Sequence, residues 1–406
     1  MSHDKVESFF SNSFDDGTLL KLEIFSGYIR EWLPVFLTRW RQFNGKMIQP
    51  QKVNLYDFFA GAGRDEHGNP GSALLLLNEI RQFCGAHGDI RAGAIQPSIL
   101  FNDSNAKHIE LLQKEVDAVR CQEKCCNIRF SVKKFQDALT DEIAAMRGKD
   151  VACLVIMDQF GVSEISAEVI AMLDTCSKTD FLFFITSSYI SRFSEQKGIK
   201  ERFNLKKCDY YSVHRAVCDY YKSLLPAGST FHLAPFSIRK KNGNIYGIIF
   251  GSHHLYGLEK FLKVCWDMDS VTGEANYDID NDGSIREGQR DLFENNTIKK
   301  IDRFEDELFD FIRQGKLLSG ISGRKFPLPV TNLDIYRFTL EHGFLPKHAT
   351  EILRRKNRGK EITVLDKRKK VIEKPRGFYL SHSDANNGEH RLFFLPRTQE
   401  IDEMKG

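Results

Sequence analysis

Apolar runs alternate with amphipathic stretches along the first half of the chain. The apolar, β-prone runs lie at 53–59, 98–102, 128–132, 151–157 and 180–186. Between them apolar residues recur at helical spacing. The run at 151–157 is almost wholly apolar, as is typical of a central strand buried on both faces. This β–α alternation predicts an α/β fold with a doubly wound, Rossmann-like sheet.

The flanks of this region follow different patterns. Aromatic and aliphatic residues recur at helical spacing over 18–43, which predicts an amphipathic helix. Apolar runs at 231–239 and 245–250 enclose an Asn-Gly turn signal within 240–244. We therefore expect an antiparallel hairpin to close the parallel sheet, as in methyltransferase sheets that use S-adenosylmethionine (SAM).

The pattern changes again after about residue 295. Helical segments are predicted at 304–314, 332–342 and 346–355, and short strands at 361–365 and 370–373 flank a basic turn. Two helices followed by a basic hairpin are typical of a winged-helix domain. The predicted organisation is an N-terminal helical segment at 1–50, a Rossmann domain at 51–295 and a basic winged-helix-like domain at 296–406.

Composition narrows the class of protein. Hydrophobic residues make up 41% of the chain and charged residues 28%, with a net charge of +3, as expected for a globular protein. The sequence has no signal-peptide core or membrane-length apolar run, so we expect a cytoplasmic protein. The cluster of Cys121, Cys125 and Cys126 matches no common zinc spacing. Residues 278–289 resemble a calcium loop, but Gln289 replaces the bidentate Glu, so no metal is expected.

A glycine-rich turn follows the first predicted strand, in the segment 57–63. Gly61 and Gly63 lack Cβ atoms, so the backbone can turn sharply and approach a ligand closely. The third glycine of a dinucleotide-binding loop is missing, and acids at 65 and 66 would repel a pyrophosphate. Asp57 suits the cationic α-amine of SAM, so Asp57, Gly61 and Gly63 are the predicted contacts to its methionine end. Phe59 is a further predicted cofactor-binding residue. An ordinary tight turn is the alternative.

Acids also follow the next two strands. Asp103 ends the second strand, where a carboxylate can accept hydrogen bonds from both ribose hydroxyls. It can also cap the following helix, and the two roles can coexist. Asp137 follows the third strand and is a candidate for the adenine amine. These residues complete the predicted SAM contacts.

The fourth strand is followed by Asp158, Gln159 and Phe160. In enzymes that methylate base amines, an acid or amide here accepts a hydrogen bond from the exocyclic amine and an aromatic ring stacks on the base. Asp158 and Phe160 fit those two catalytic roles. Gln159 stands where such enzymes usually have proline, and a structural acid at a strand end is the alternative.

The C-terminal region carries a dense positive charge. Residues 346–376 hold twelve Lys or Arg against four Asp or Glu. Basic residues that share one face can contact the phosphates of DNA or RNA. The alternative interpretation is a solvated face or a protein-binding surface. The predicted nucleic-acid contacts are Arg354, Arg355, Lys356, Lys367, Arg368, Lys369 and Lys370.

Several of these segments together resemble the three-Cys-motif partner (TcmP) family. The resemblance covers about residues 15–265 and rests on Lys21-Leu22 with Tyr28 and Trp32, on 57–63, 70–73, 158–161 (similar to D-P-F-G, with Gln159 for Pro) and 213–221. It implies a bacterial Rossmann methyltransferase-like protein, often encoded beside a radical-SAM-like partner with a three-cysteine motif. The D-P-F-G form also occurs in enzymes that methylate the guanine amine of tRNA, which favours a nucleic-acid amine as acceptor.

The sequence thus supports two hypotheses. The first is a SAM-dependent methyltransferase that acts on a nucleic-acid base amine together with a partner protein. The second is a methyltransferase-like module that has lost catalysis and serves as a binding protein in a two-gene bacterial system, for example in phage defence. Gln159 favours the second hypothesis.

Overall fold

The computed structural model describes residues 14–37, 52–86, 95–119, 125–159, 162–193, 209–280, 299–314, 329–372, 374, 378–383 and 392–396. The chain divides into two compact units. The first comprises Met1–Asp269 with Glu274–Tyr277, and the second comprises Ser270–Gly273 with Asp278–Gly406. Each unit has its own sheet.

The first unit is built on a seven-stranded sheet of order β3-β2-β1-β4-β5-β7-β6. Its strands are β1 (Lys52–Asp57), β2 (Ser98–Asp103), β3 (Asn127–Val132), β4 (Val151–Met157), β5 (Thr179–Ile185), β6 (His232–Arg239) and β7 (Ile245–Ser252). The first five strands are parallel. Their order, 3-2-1-4-5, confirms the predicted doubly wound, Rossmann-like sheet.

The remaining two strands run the other way. β7 pairs antiparallel with β5 and with β6, so the pair β6–β7 forms one edge of the sheet. The turn between them contains Gly243, whose φ of 81° is readily adopted only by glycine. All residues of β4 are buried, as its apolar run predicts. β1 is shorter than the predicted run, because Phe58 and Phe59 lie in the turn that follows it.

Helices cover both faces of this sheet. They are α1 (Asp16–Leu37), α2 (Ser72–Ala86), α3 (Ala106–Val119), α4 (Phe135–Met146), α5 (Ala167–Asp174), α6 (Ser187–Arg192), α7 (Val213–Ser223) and α8 (Leu255–Met268). α1 packs against α2 and α8. It begins before the predicted helix at 18–43, and the predicted end lies in 38–51, outside the described residues. The buried hydroxyl of Tyr28 donates to Asp180 of β5 at 2.7 Å, so α1 belongs to this unit.

The second unit contains α9 (Lys300–Gln314), β8 (Val330–Thr331), α10 (Asn332–Glu341), α11 (Pro346–Arg358), β9 (Ile362–Asp366) and β10 (Leu392–Pro396). Its three strands have the order β8-β10-β9. Thr331 caps α10 by exchanging hydrogen bonds with Asp334. Pro346 is the first residue of α11. An amide at this position has no acceptor within the helix, so proline's lack of an N–H costs no helical hydrogen bond.

The predicted hairpin between 361–365 and 370–373 is present as far as the described residues extend. Its second arm forms a bridge rather than a longer strand, and residue 373 lies outside the described residues. β9 also pairs with β10, which lies further along the chain. Across the turn, Asp366 N donates to Lys370 O at 2.9 Å and Ile372 N to Val364 O at 2.8 Å, on either side of a bridge between Leu365 and Val371. Asp366 accepts hydrogen bonds from the amides of Arg368 and Lys370, which closes a tight turn.

Candidate functional site

The glycine turn lies at the carboxyl edge of the parallel strands. β1 ends at Asp57, and the backbone then crosses between its neighbours, because Phe58 N donates to Ile156 O at 3.1 Å and Ala60 N to Asn102 O at 2.9 Å. Gly61 and Gly63 have φ values of 63° and 93°. Glycine adopts this left-handed region without strain, so the sequence specifies the turn directly.

Asp57 is completely buried beneath this turn. Its carboxylate accepts hydrogen bonds from Ser72 Oγ at 2.6 Å and from Phe59 N at 3.2 Å. Burial above all, with the negative charges of Asp158 and Asp103, raises the pKa of Asp57 to about 7 against the opposing effect of those two hydrogen bonds. The site therefore holds an acid that is poised to ionise when a cation approaches.

Asp103 connects the second strand to the same turn. One carboxylate oxygen accepts from Gly61 N at 3.1 Å. The other accepts from Asn105 N at 2.8 Å and lies 3.3 Å from His108 Nδ1. Asp103 thus closes the turn that leads into α3 and also fixes the glycine loop.

Asp158, directly after β4, is paired with a residue that the sequence did not assign to the site. It forms an ion pair with Lys21 of α1, whose side chain is 6% exposed while that of Asp158 is 22% exposed. The Lys21 ammonium also lies 4.8 Å from the centre of the Phe184 ring. The two partners are 137 positions apart, so no local pattern could have revealed the pair.

The beginning of α1 lies beside the glycine turn. Phe14 N, just before the helix, donates to Asp65 Oδ2 at 2.8 Å. Asp65 follows the second loop glycine and is buried, where it also accepts from the amides of His67 and Asn69. Lys240, in the β6–β7 turn, pairs with Asp15 at 2.9 Å. The N-terminal end of α1 is therefore anchored between the glycine turn and the β6–β7 turn.

The remaining predicted site residues differ in where they lie. Phe59 packs on Phe135 with ring centres 5.1 Å apart. Asp137 is exposed in the first turn of α4, and no described hydrogen bond joins it to the glycine turn. Phe160 lies outside the described residues. Gln159 is 3% exposed, accepts from Glu164 N at 3.1 Å through Oε1, and has no hydrogen-bond partner for Nε2 among the described residues.

In the second unit, the basic residues of α11 are engaged within the fold. Arg354 Nε donates to Phe378 O at 3.0 Å. Arg355 pairs with Glu305, and Lys356 lies 3.2 Å from Glu305 and 2.8 Å from Glu361. These three cations already have acceptors, which makes them weaker candidates for phosphate contacts than the sequence predicts.

The basic turn between β9 and Val371 is different. Lys367, Arg368, Lys369 and Lys370 are all exposed there. Lys369 has a φ of 61°, and the carboxylate of Asp366 is occupied by backbone amides of the same turn. For Arg368, Lys369 and Lys370, no carboxylate partner is found in the described part of the chain. The turn thus presents concentrated positive charge to solvent.

Neither a metal cluster nor a membrane-spanning helix is found among the described residues. Within the described ranges, no group of three or more His, Cys, Asp or Glu side chains is arranged to hold a metal ion. Cys125 and Cys126 are half-buried, whereas Cys121 and the calcium-like loop beyond residue 280 lie outside the described residues. Among the helices that the structure describes, none has the length and apolar character needed to cross a bilayer.

Comparison with known proteins gives limited matches. No protein-family model matches the chain, and neither does any curated protein. Among solved structures, Trm1 from Pyrococcus horikoshii in complex with SAM is 8% identical, with a TM-score of 0.34, and the match covers 59% of this chain but only 56% of that one.

Two further structures are similar at the same level. Magnesium protoporphyrin IX methyltransferase from Synechocystis, with bound SAH, is 9% identical over 61% of this chain and 92% of that one, with a TM-score of 0.28. Cyclopropane synthase MmaA2 from Mycobacterium tuberculosis is 10% identical over 60% and 80%, with a TM-score of 0.25. Scores this low carry no argument about activity, which must rest on the site itself.

Proposed function

We propose that this protein is a SAM-dependent methyltransferase that modifies a base amine of a nucleic acid. The observation that carries the proposal is the gathering of three carboxylates, Asp57, Asp103 and Asp158, around the turn that contains Gly61 and Gly63. Neighbouring parallel strands end at this edge, where α/β sheets bind ligands.

The shape and charge of the turn fit the cofactor. A Cβ atom added to Gly63 would meet Leu112 Cδ1 at 3.0 Å, and one added to Gly71 would meet Gly63 O at 3.3 Å, so both positions need a small residue. SAM carries two positive charges, on its sulfonium and its α-amine. A buried acid whose ionisation is held back by burial and by two other acids suits such a cationic ligand.

Each acid then has a distinct task. Asp57 binds the α-amine of the cofactor, and Asp103 accepts from the ribose hydroxyls while keeping the glycine turn closed. Asp158 accepts a hydrogen bond from the acceptor amine and holds it in line, with Phe160 stacking on the base. SAM supplies an activated methyl group, so no metal is required for the transfer.

The basic turn at 367–370 supports a nucleic acid as the substrate. Four successive exposed cations match a phosphate backbone, and counterion release makes such contacts favourable. The element order of the second unit, in which β8 precedes and β9 and β10 follow the helices α10 and α11, supports a winged-helix domain. A partner protein, as the TcmP resemblance implies, is part of the same proposal.

A second candidate function is a methyltransferase-like binding module without catalysis. The observation in its favour is that Asp158 is already paired with Lys21, which weakens its charge toward an acceptor amine. Gln159 in place of proline points the same way. Such a module would bind SAM and nucleic acid but leave the methyl group in place.

The test combines calorimetry with a transfer assay. Nucleic acid that co-purifies with the full chain is incubated with methyl-labelled SAM, using wild-type protein and Asp158→Asn. Transfer that is lost in the variant, with SAM affinity retained, supports the enzyme. SAM binding without any transfer by the wild type supports the binding module, and absence of SAM binding overturns both.

A further inference from the structure

The acids of the site leave one part of the cofactor unmatched. Asp57, Asp103 and Asp158 suit the cationic groups of SAM and its ribose, but the methionine end also carries a carboxylate. A carboxylate beside three acids requires a compensating cation. Among the Lys and Arg side chains of the described residues, Lys21 is the one bonded to one of these acids, namely Asp158.

Lys21 has the properties of such a binding residue. Burial of a charged lysine is unfavourable unless its ammonium is paired or hydrogen-bonded, and the Lys21 side chain is only 6% exposed. Its ammonium has three N–H donors, of which Asp158 accepts one hydrogen bond among the described residues. The Phe184 ring beside it adds a cation–π contact that holds the charge in place. Donors therefore remain for an anionic ligand.

The position of α1 brings this lysine to the correct end of the cofactor. The amide of Phe14 donates to Asp65, shortly after the second loop glycine. Lys21 donates to Asp158, directly after β4. The first turns of α1 therefore bridge the two segments that flank Asp57. The methionine end of SAM, held by Asp57 through its amine, would place its carboxylate beside the same helix.

We propose that Lys21 binds the carboxylate of SAM and that α1 is thereby part of the cofactor site. This inference rests on the proposed function, because it presupposes SAM as the ligand. Asp158 then serves both to orient Lys21 and to meet the acceptor. The alternative is a purely structural lysine that ties α1 to the sheet.

A ligand that lacks the carboxylate separates these two roles. Calorimetry on the full chain measures dissociation constants for SAM and for decarboxylated SAM, with wild-type protein, Lys21→Met and Lys21→Gln. Lys240→Met is the matched control, because Lys240 is also a buried lysine paired near the start of α1 and packed on a Tyr246 ring. Thermal melts establish that each variant is folded.

We expect wild-type protein and Lys240→Met to bind SAM about tenfold to a hundredfold more tightly than its decarboxylated form, as for one buried charge-assisted hydrogen bond. In Lys21→Met that preference falls to about one. If Lys21→Met does not fold, Lys21→Gln carries the same test.

An unchanged preference in the folded Lys21 variant overturns the inference, and so does a wild-type protein that binds both ligands equally. Binding of neither ligand to folded wild-type protein refutes the proposed function itself, so the two failures are distinguishable.

Discussion

Lys21 and Asp158 lie 137 positions apart in the sequence and form an ion pair at the carboxyl edge of the sheet. One partner comes from the first described helix and the other from the end of the central strand β4. Because the ammonium is almost fully buried, loss of either partner leaves a poorly solvated charge. The pair therefore ties α1 to the candidate site and makes the helix part of it.

The first prediction concerns the strength of this pair. A double-mutant cycle with Lys21→Met and Asp158→Asn should give a coupling free energy of about 1–3 kcal/mol, as for neighbouring groups that interact directly. Urea unfolding of the four proteins provides the values. The exposed pair of Lys241 and Asp16, at the start of the same helix, is the control and should show no measurable coupling. Equal coupling in both pairs would contradict a special role for Lys21.

The second prediction concerns the pH dependence of stability. The folded-state pKa of Asp57 is about 7, against 3.8 for an ordinary aspartate. Between these values the folded protein binds a proton that the unfolded chain has released, so the free energy of unfolding falls as the pH rises. Asp57→Asn removes this loss and should stabilise the ligand-free protein at pH 8 by roughly 2–4 kcal/mol.

Urea unfolding of the ligand-free protein at pH 5 and at pH 8 measures this effect. At pH 5 the wild-type carboxyl is protonated in the folded state, so the two proteins should differ much less there. Parallel pH profiles for wild type and Asp57→Asn would show that Asp57 is ionised throughout and is not the poised acid described here.

The third prediction separates backbone strain from crowding in the glycine turn. Gly63 and Gly68 both have positive φ values, but a Cβ atom at Gly63 would meet Leu112 at 3.0 Å, whereas one at Gly68 would meet nothing within 4 Å. Both alanine variants should lose about 1–2 kcal/mol through strain. Only Gly63→Ala should also weaken SAM binding, as measured by calorimetry. Equal SAM affinities in the two variants would argue against a cofactor at this turn.

The fourth prediction concerns the basic turn. Replacing Lys367, Arg368, Lys369 and Lys370 with Gln should weaken nucleic-acid binding, and the salt dependence should become less steep by about 0.9 for each lost phosphate contact to a duplex. Fluorescence anisotropy over a salt series measures the slope. Arg355→Gln is the control, because Arg355 is paired with Glu305, and it should change the slope little. A larger effect from Arg355 would reverse this assignment of phosphate contacts.

Much of the first unit could be read from the sequence because its signals are local. An apolar run such as 151–157 specifies a buried central strand, and the two loop glycines specify the left-handed turn after β1. Asp103 could be placed at a strand end for the same reason, and the hydrogen bond that it accepts from Asn105 N before α3 needs only neighbouring backbone.

The remaining features depend on contacts between distant segments. Nothing near Lys21 shows that it meets Asp158, and nothing near Arg354 shows that the carbonyl of Phe378 accepts its guanidinium N–H groups. The pairing of β9 with β10, which lies beyond the predicted hairpin, has the same origin.

The central claim is that the glycine turn binds SAM, and calorimetric titration of the full chain with SAM tests it most directly. The account predicts one site with a dissociation constant in the micromolar range at pH 8, weakened at least about tenfold by Asp57→Asn and unchanged by the substitutions at 367–370. No detectable SAM binding to folded wild-type protein at high micromolar ligand, or equal binding by folded Asp57→Asn, would contradict it.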